Sequence, residues 1–345
     1  MTFSSIIGHD RPVSILKRAI QNDAVAHAYL FSGEQGIGKR LTARVFAAAL
    51  NCQAAGPEGG CGVCSSCRKV ASGAHPDVRV VMPESQDEQL LATLSSKEAA
   101  KASERIKIDQ IRQAQDSISL TPSEGQKKVL IVDDADAMTE EAMNAFLKTL
   151  EEPPGDSLII LITSKPQSLL PTIRSRCQTL DFQPLPRLTL AGVIRKMRGL
   201  SEEDAWFVAA LSRGSLGRAL DMDVQKEKAE RERFFALREG LAGMRNDEIL
   251  AFAEGVYKDR EGFGRLMDIG IEGVRDRLLF HETGDERLLV FSAGVDRIRS
   301  QDAGFSLPRA LQEMELLAGS RSLLEERRIS AQLIAENLFL KLSRA

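Results

Sequence analysis

Gly33-Glu34-Gln35-Gly36-Ile37-Gly38-Lys39-Arg40 is a phosphate-binding loop with one residue out of pattern. The pattern is glycine, four residues, Gly-Lys, then Ser or Thr. Its glycines let backbone N–H groups close around phosphates, its lysine reaches the outer phosphates, and its final hydroxyl holds Mg²⁺. Gly33, Gly36, Gly38 and Lys39 supply the cradle, but Arg40 stands where the hydroxyl belongs. A guanidinium has five N–H donors and no acceptor, so it cannot coordinate a metal. The loop is therefore suited to holding a phosphate and poorly suited to hydrolysing one.

The flanking residues give the loop its required setting. His27-Ala28-Tyr29-Leu30-Phe31-Ser32 reads as a short strand running into the glycines, and Leu41 to Leu50 as an amphipathic helix leaving them. Strand, loop and helix together place a helix N-terminus, with its partial positive charge, where phosphates would sit.

A second nucleotide element lies at Lys128-Val129-Leu130-Ile131-Val132-Asp133-Asp134. An apolar strand ending in an acid matches a Walker B strand, and Asp133 is the carboxylate placed to bind Mg²⁺ or its water shell. Hydrolysing members of this class carry Glu at the next position. Asp134 is one methylene shorter, and a misplacement of about 1 Å can cost on the order of 10²-fold in rate. Arg40 and Asp134 thus weaken the same step. Thr163 and Ser164 put hydroxyls at the end of a later strand, where a sensor of the γ-phosphate would sit. Gly214-Ser215-Leu216-Gly217-Arg218 opens a helix whose Arg218 lies one turn in, able to fold over a nucleotide. Bound ATP or ADP remains open on this reading, weak or not hydrolysed.

Four of the five cysteines fall at Cys52, Cys61, Cys64 and Cys67, a C-x8-C-x2-C-x2-C spacing. In a reducing compartment such a cluster reads as a metal site rather than as disulfides. The Gly-Pro and Gly-Gly pairs between Cys52 and Cys61 supply a turn that brings the ligands together. Four thiolates suit tetrahedral Zn²⁺ with no open position, hence a structural ion. Free thiols and an iron–sulfur cluster are the alternatives. Cys177 stands apart and reads as a small buried residue.

With 345 residues the chain should hold two or three domains, and 28% charged residues with a net charge of −3 give no overall basic surface for nucleic acid. The first residues lack a basic region followed by an apolar stretch, and no window approaches the ~18 apolar residues of a membrane span, so a cytoplasmic location with no membrane partner is expected. Apolar runs at Tyr29–Ser32, Val78–Met82, Lys128–Val132, Leu158–Thr163 and Gln178–Phe182 alternate with helical stretches, which predicts a parallel α/β sheet. Glu84 to Ser103 reads as a polar, exposed insertion, partly helical. The expected division is an α/β domain over 1–183 with the cysteine module at 52–67, a small helical lid over 184–223 and an all-helical segment over 224–345.

At these residues the sequence resembles the clamp-loader branch of the AAA+ ATPases. The resemblance is carried by Ile7-Gly8-His9, the phosphate loop, the cysteine module after the loop's helix, Asp133-Asp134-Ala135-Asp136, Leu147-Lys148-Thr149-Leu150-Glu151-Glu152-Pro153-Pro154, Ser175-Arg176-Cys177 and Gly217-Arg218-Ala219-Leu220. It covers about the first 220 residues, with a compatible helical block behind them. It implies a P-loop (AAA+) α/β domain, a helical lid and a helical collar, in a pentamer that seats a sliding clamp on primer–template DNA. The partners so implied are the gamma/tau and delta subunits of the bacterial DNA polymerase III loader. Arg40 and Asp134 favour the loader's stator, which supplies an arginine finger to a neighbouring subunit, over its gamma/tau-type motor. On that reading Arg176 is the finger, with Arg174 the holder of an ordinary ion pair near Asp181. A zinc-bearing nucleic-acid module outside replication would need a basic face interleaved with aromatics, and 5% aromatics in an acidic chain do not provide one.

Overall fold

The computed structural model describes residues 2–99, 101–241, 243–290, 298–299, 305–325 and 329–344. It divides into two units, Met1–Leu185 with Ser215–Gly217, and Pro186–Gly214 with Arg218–Ala345. The separation of the helical part into a lid and a collar is finer than these two units.

The first unit is built on five strands: β1 (Ala28–Ser32), β2 (Val78–Val81), β3 (Lys128–Val132), β4 (Ser157–Thr163) and β5 (Gln178–Asp181). They form one sheet in the order β2-β3-β4-β1-β5, and every pairing is parallel. This is the α/β architecture expected from the alternation of apolar runs with helices. Each residue of β1, β3 and β4 up to Thr163 is buried except Ser32, because parallel strands linked by crossover helices are covered on both faces. The period of two along a strand sorts their side chains into two cores. Tyr29, Phe31, Val129, Ile131, Leu158, Ile160 and Ile162 pack on one face with Phe46 and Ala47 of the helix Lys39–Leu50. Ala28, Leu30, Leu130, Val132, Ile159 and Leu161 pack on the other with Ile111 and Phe146.

All five strands run the same way, so their C-terminal ends share one edge, where α/β proteins place ligands. The phosphate loop follows β1, Asp133 follows β3, and Thr163 closes β4. The polar stretch after β2 forms two short helices, Glu88–Leu91 and Ser96–Ala99.

A buried ion pair fixes the opposite, N-terminal end of β3. Lys128 Nζ lies 2.8 Å from Asp77 Oδ1, with both side chains almost fully buried. Asp77 also accepts backbone N–H bonds from Ser123, Glu124 and Gly125 at 2.7–2.8 Å. Burial alone would favour the neutral acid, but Lys128 and the three N–H donors outweigh it and hold the carboxyl well below its usual range. Asp77→Ala leaves Lys128 charged and unpaired, a loss of about 3–5 kcal/mol, and denaturant unfolding at neutral pH should show it. Because the folded-state value is depressed, this stabilisation is present above the unfolded value of about 3.9 and lost as the pH falls below it.

The described residues of the second unit form helices joined by short turns, with no strand among them. Its longer helices are Arg187–Arg198, Glu202–Leu211, Val224–Leu241, Asn246–Tyr257, Arg260–Thr283, Leu307–Glu325 and Ala331–Leu342. Phe263, Leu266, Leu317, Ile334, Leu338 and Phe339 are buried in it, while Leu333 is 64% exposed. Glu313 is buried as well and accepts from Arg238 at 2.9 Å and Arg277 at 2.6 Å. Ile334, Leu338 and Phe339 of the apolar stripe at Leu333–Leu340 are thus core. No described helix is long and apolar enough to cross a membrane.

Candidate phosphate and metal sites

The loop after β1 is shaped by close approach and by backbone sign. Gly33 has φ +148°, and a Cβ there would lie 2.4 Å from the carbonyl oxygen of Phe182, so no larger residue fits. Lys39 is buried, and its ammonium donates to the carbonyls of Gly33 (2.5 Å) and Glu34 (2.6 Å). Burial lowers its pKa, while Asp133, Asp134 and Asp136 nearby oppose the shift. A cavity of about 270 Å³ opens beside the loop, lined by Gly36, Gly38, Lys39, Arg40, Asp133 and Asp134 among others. The phosphate-loop glycines and lysine therefore meet the Walker B carboxylate, as their positions in the chain predict.

The metal-binding half of such a site is altered. Arg40 Nε lies 3.4 Å from Asp133 Oδ2. Burial raises the Asp133 pKa, and the Arg40 charge opposes that rise. Asp134 adopts a left-handed backbone, φ 54°, and its carboxylate accepts from Gln86 Nε2 at 2.8 Å. The side chain at the general-base position is thus short and already engaged.

Thr163, expected as a phosphate sensor, is fully buried, and its hydroxyl donates to Asp136 Oδ1 at 2.5 Å. That partner was not anticipated, although Asp136 sits in the Asp-Asp-Ala-Asp run. Arg218 belongs to the second unit, but Gly217 beside it belongs to the first. The Gly217 N–H donates to the Gly36 carbonyl at 2.9 Å, and a Cβ at Gly217 would meet that oxygen at 3.0 Å. This glycine must be small to close on the phosphate loop, a role sequence spacing could not reveal. His9 was likewise missed as a support. Its Nε2 lies 2.6 Å from the Ile37 carbonyl, and its ring meets Phe182 edge-on at 4.9 Å. A carbonyl only accepts, so Nε2 carries a proton; burial lowers the pKa of the ring, and the bond to Ile37 opposes that shift.

Arg176 follows the short helix Pro171–Arg174. Its guanidinium donates to Glu151 at 2.6 Å and to the Thr172 carbonyl at 2.9 Å, with the side chain 34% exposed. The ion pair expected of Arg174 near Asp181 is corrected: the Arg174 Nε is buried without a hydrogen-bond partner, and it is Arg176 that forms an ion pair, with Glu151 and not with Asp181. The helix Glu140–Glu151 brings Glu151 across from Arg176, an encounter between segments distant in sequence.

The four cysteines converge. The sulfurs of Cys52, Cys61, Cys64 and Cys67 all lie within 4.8 Å of one another. A tetrahedral ion with Zn–S bonds of about 2.3 Å sets its sulfurs about 3.8 Å apart, and Cys52 and Cys64 are 3.9 Å apart. Gly56 and Gly59 exchange two backbone hydrogen bonds of 2.9 Å, forming the turn between the first two ligands. Backbone N–H groups donate to sulfur from Cys61 to Cys52, Cys64 to Cys61 and Cys67 to Cys64, at 3.2–3.4 Å. Such bonds favour thiolate, and those from Cys67 and Gln53 bring Cys64 down to about 6. Burial instead pushes Cys67 up to about 12. The donor set can hold one metal ion and leaves it no open ligand position. Cys177 is half-buried and outside the cluster, and burial pushes its thiol up to about 12.

Residues 8–186 match the family model described as DNA polymerase III, delta subunit. The chain is 42% identical over 175 residues to DNA polymerase III subunit delta' of Bacillus subtilis, covering 51% of this chain and 47% of that protein. It is 36% identical over 226 residues to the subunit of the same name from Pseudomonas aeruginosa, covering 66% and 63%. DNA polymerase III subunit tau of Bacillus subtilis is 32% identical over 195 residues, covering 56% of this chain and 31% of that protein. The match thus spans about half the first of these relatives and under two thirds of the second. With a phosphate loop and an acid at the ends of parallel strands, a cysteine cluster between them in the chain, and more than half its length matched, the chain belongs to the family described as DNA polymerase III, delta subunit.

Proposed function

We propose that this chain is a delta-prime-type stator of a bacterial clamp loader: it joins gamma/tau and delta subunits, helps seat the sliding clamp on primer–template DNA, and does not drive the cycle by its own ATP hydrolysis. The observation that carries this reading is the Arg40–Asp133 contact of 3.4 Å. It couples the residue at the missing hydroxyl to the carboxylate that a motor subunit would use for Mg²⁺. Arg176 acts in trans, as a finger toward a neighbour's ATP. Gly33, Gly36, Gly38 and Lys39 cradle any bound nucleotide, with Asp133 and Thr163 at the ends of the neighbouring strands. Cys52, Cys61, Cys64 and Cys67 hold a structural Zn²⁺. Residues 184–223 act as the lid and 224–345 as the collar through which the subunits assemble, in the cytoplasm.

Exposed leucines support the collar assignment: Leu311, Leu323 and Leu333 are 48%, 43% and 64% exposed on helices of that segment. Partner subunits provide a surface for such side chains. Mixing the full chain with gamma/tau and delta subunits of one bacterium should give a stable complex by size exclusion. A chain ending before Val224 should keep its α/β domain folded by circular dichroism and lose that complex. Retained assembly of the truncated chain would refute the collar. ATP turnover by the isolated full chain, near the roughly 10 s⁻¹ typical of enzymes, would favour the motor reading instead.

A further inference from the structure

The cation half of the phosphate site is occupied by protein. Mg²⁺ takes near-octahedral oxygen ligands at about 2.0–2.1 Å, and a P-loop supplies them from the hydroxyl after its lysine and from the Walker B acid. Here the first position is Arg40, which offers no oxygen. Its Nε lies 3.4 Å from Oδ2 of Asp133, the second ligand. A cation brought to this place would also meet the guanidinium's like charge. The residues present do not fit Mg²⁺.

They fit an anion. The adjoining cavity of about 270 Å³ is bordered by Gly36, Gly38, Lys39 and Arg40 and by two acids, Asp133 and Asp134, of which Asp133 is paired with Arg40 and Asp134 accepts from Gln86. That is slightly below the ~300–1,000 Å³ of pockets that enclose whole small molecules, and it suits a phosphate tail better than a base. The helix Lys39–Leu50 starts at the loop, so its N-terminal partial charge adds to that of Lys39. Arg40 meets Asp133 through Nε, and the fork carries two further NH₂ groups of fixed geometry able to bind phosphate oxygens side by side.

We propose that this chain binds the polyphosphate of a nucleoside di- or triphosphate without a divalent cation, the Arg40 guanidinium standing where Mg²⁺ stands in a hydrolysing loop. The proposal rests on the phosphate-loop reading and not on the clamp-loader role. Arg40 cancels the Asp133 charge that would otherwise repel phosphate, which is one of the tasks Mg²⁺ performs in such sites. It contributes no Lewis acid, so a bound nucleotide remains intact.

The test uses the full chain, freed of nucleotide and titrated with fluorescent ADP and ATP analogues in chelator and in millimolar Mg²⁺. Binding should saturate in both buffers, with affinities agreeing within about twofold. Arg40→Thr removes the guanidinium and restores a hydroxyl. Its binding should weaken about tenfold or more in chelator and recover with Mg²⁺. Lys39→Ala should lose binding in either buffer, with its fold checked by circular dichroism. A wild-type affinity that rises about tenfold with Mg²⁺ would overturn the proposal. So would no saturable binding in either buffer, which would make the Arg40–Asp133 pair a plug. Binding that survives Lys39→Ala would place the nucleotide elsewhere and overturn it as well. The wild-type comparison decides the matter even if a variant does not fold. Assembly with partner subunits, measured separately, distinguishes this failure from a failure of the loader reading.

Discussion

Protein purified without chelator should carry one zinc per chain, and stripping it should loosen residues 52–72 while the sheet stays folded. Structural zinc contributes an apparent ~10–16 kcal/mol in zinc-finger peptides, the largest single effect expected in this molecule. Here that energy is local. Four sulfurs within 4.8 Å of one another repel as thiolates, and as thiols they are only weak hydrogen-bond partners for one another, so the lobe depends on the ion. The sheet does not, because its two cores are filled by strand and helix side chains. Cys52 and Cys67 join one of those cores, so the loosening should stop at the helix Lys39–Leu50. Elemental analysis gives the stoichiometry, and amide exchange before and after chelation maps the loosened segment. Cys64→Ser should reproduce the exchange pattern, since Cys64 is both one of the four converging sulfurs and the N-cap of the helix Ser65–Ser72, accepting from the Cys67 N–H. Protein without zinc, or with the visible absorption of an iron–sulfur cluster, would refute the assignment.

Arg176→Ala should leave folding and assembly intact and sharply reduce the ATPase of the assembled loader in the presence of clamp and primed DNA. Arginine fingers contribute about 10³–10⁵ in rate in the best-studied cases, through planar, paired hydrogen bonds to the γ-phosphate. The contact with Glu151 at 2.6 Å decides how this can work. Both side chains are partly exposed, at 34% and 50%, and exposed pairs of this kind are worth about 0–1 kcal/mol. On the proposed finger role, releasing Arg176 to a phosphate would cost little beside the expected rate effect, so the contact with Glu151 is no obstacle to it. The complex keeps the turnover of any site that Arg176 does not reach, so single-turnover measurement of the neighbouring site is the sharper readout. Unchanged ATPase and clamp loading would place the finger elsewhere.

Much of the site follows from the chain alone, because its chemistry is carried by consecutive residues. A glycine loop with Lys39, an acid closing an apolar strand and two C-x2-C steps each fix local geometry within a few residues. The parallel sheet follows too, since fully buried strands need apolar side chains on both faces, and β1, β3 and β4 carry them. Arg40 was legible as a defect; that it reaches Asp133 was not, since these residues meet only when β1 and β3 are set on either side of β4. The same limit hid His9 against Ile37, Gly217 against Gly36, Gln86 on Asp134 and Glu151 on Arg176. Each contact joins segments far apart in the chain, and no local propensity records which polar groups the fold will bring within hydrogen-bond reach. The expectation for Arg174 failed likewise: Asp181 is close in sequence, but the fold buries the Arg174 Nε without a hydrogen-bond partner and sets Glu151 beside Arg176. Sequence determined which chemical groups this protein has and the local frames that carry them. Tertiary structure alone decided which of those groups meet, because side-chain partners are set by packing of whole elements and by the need to satisfy every buried charge.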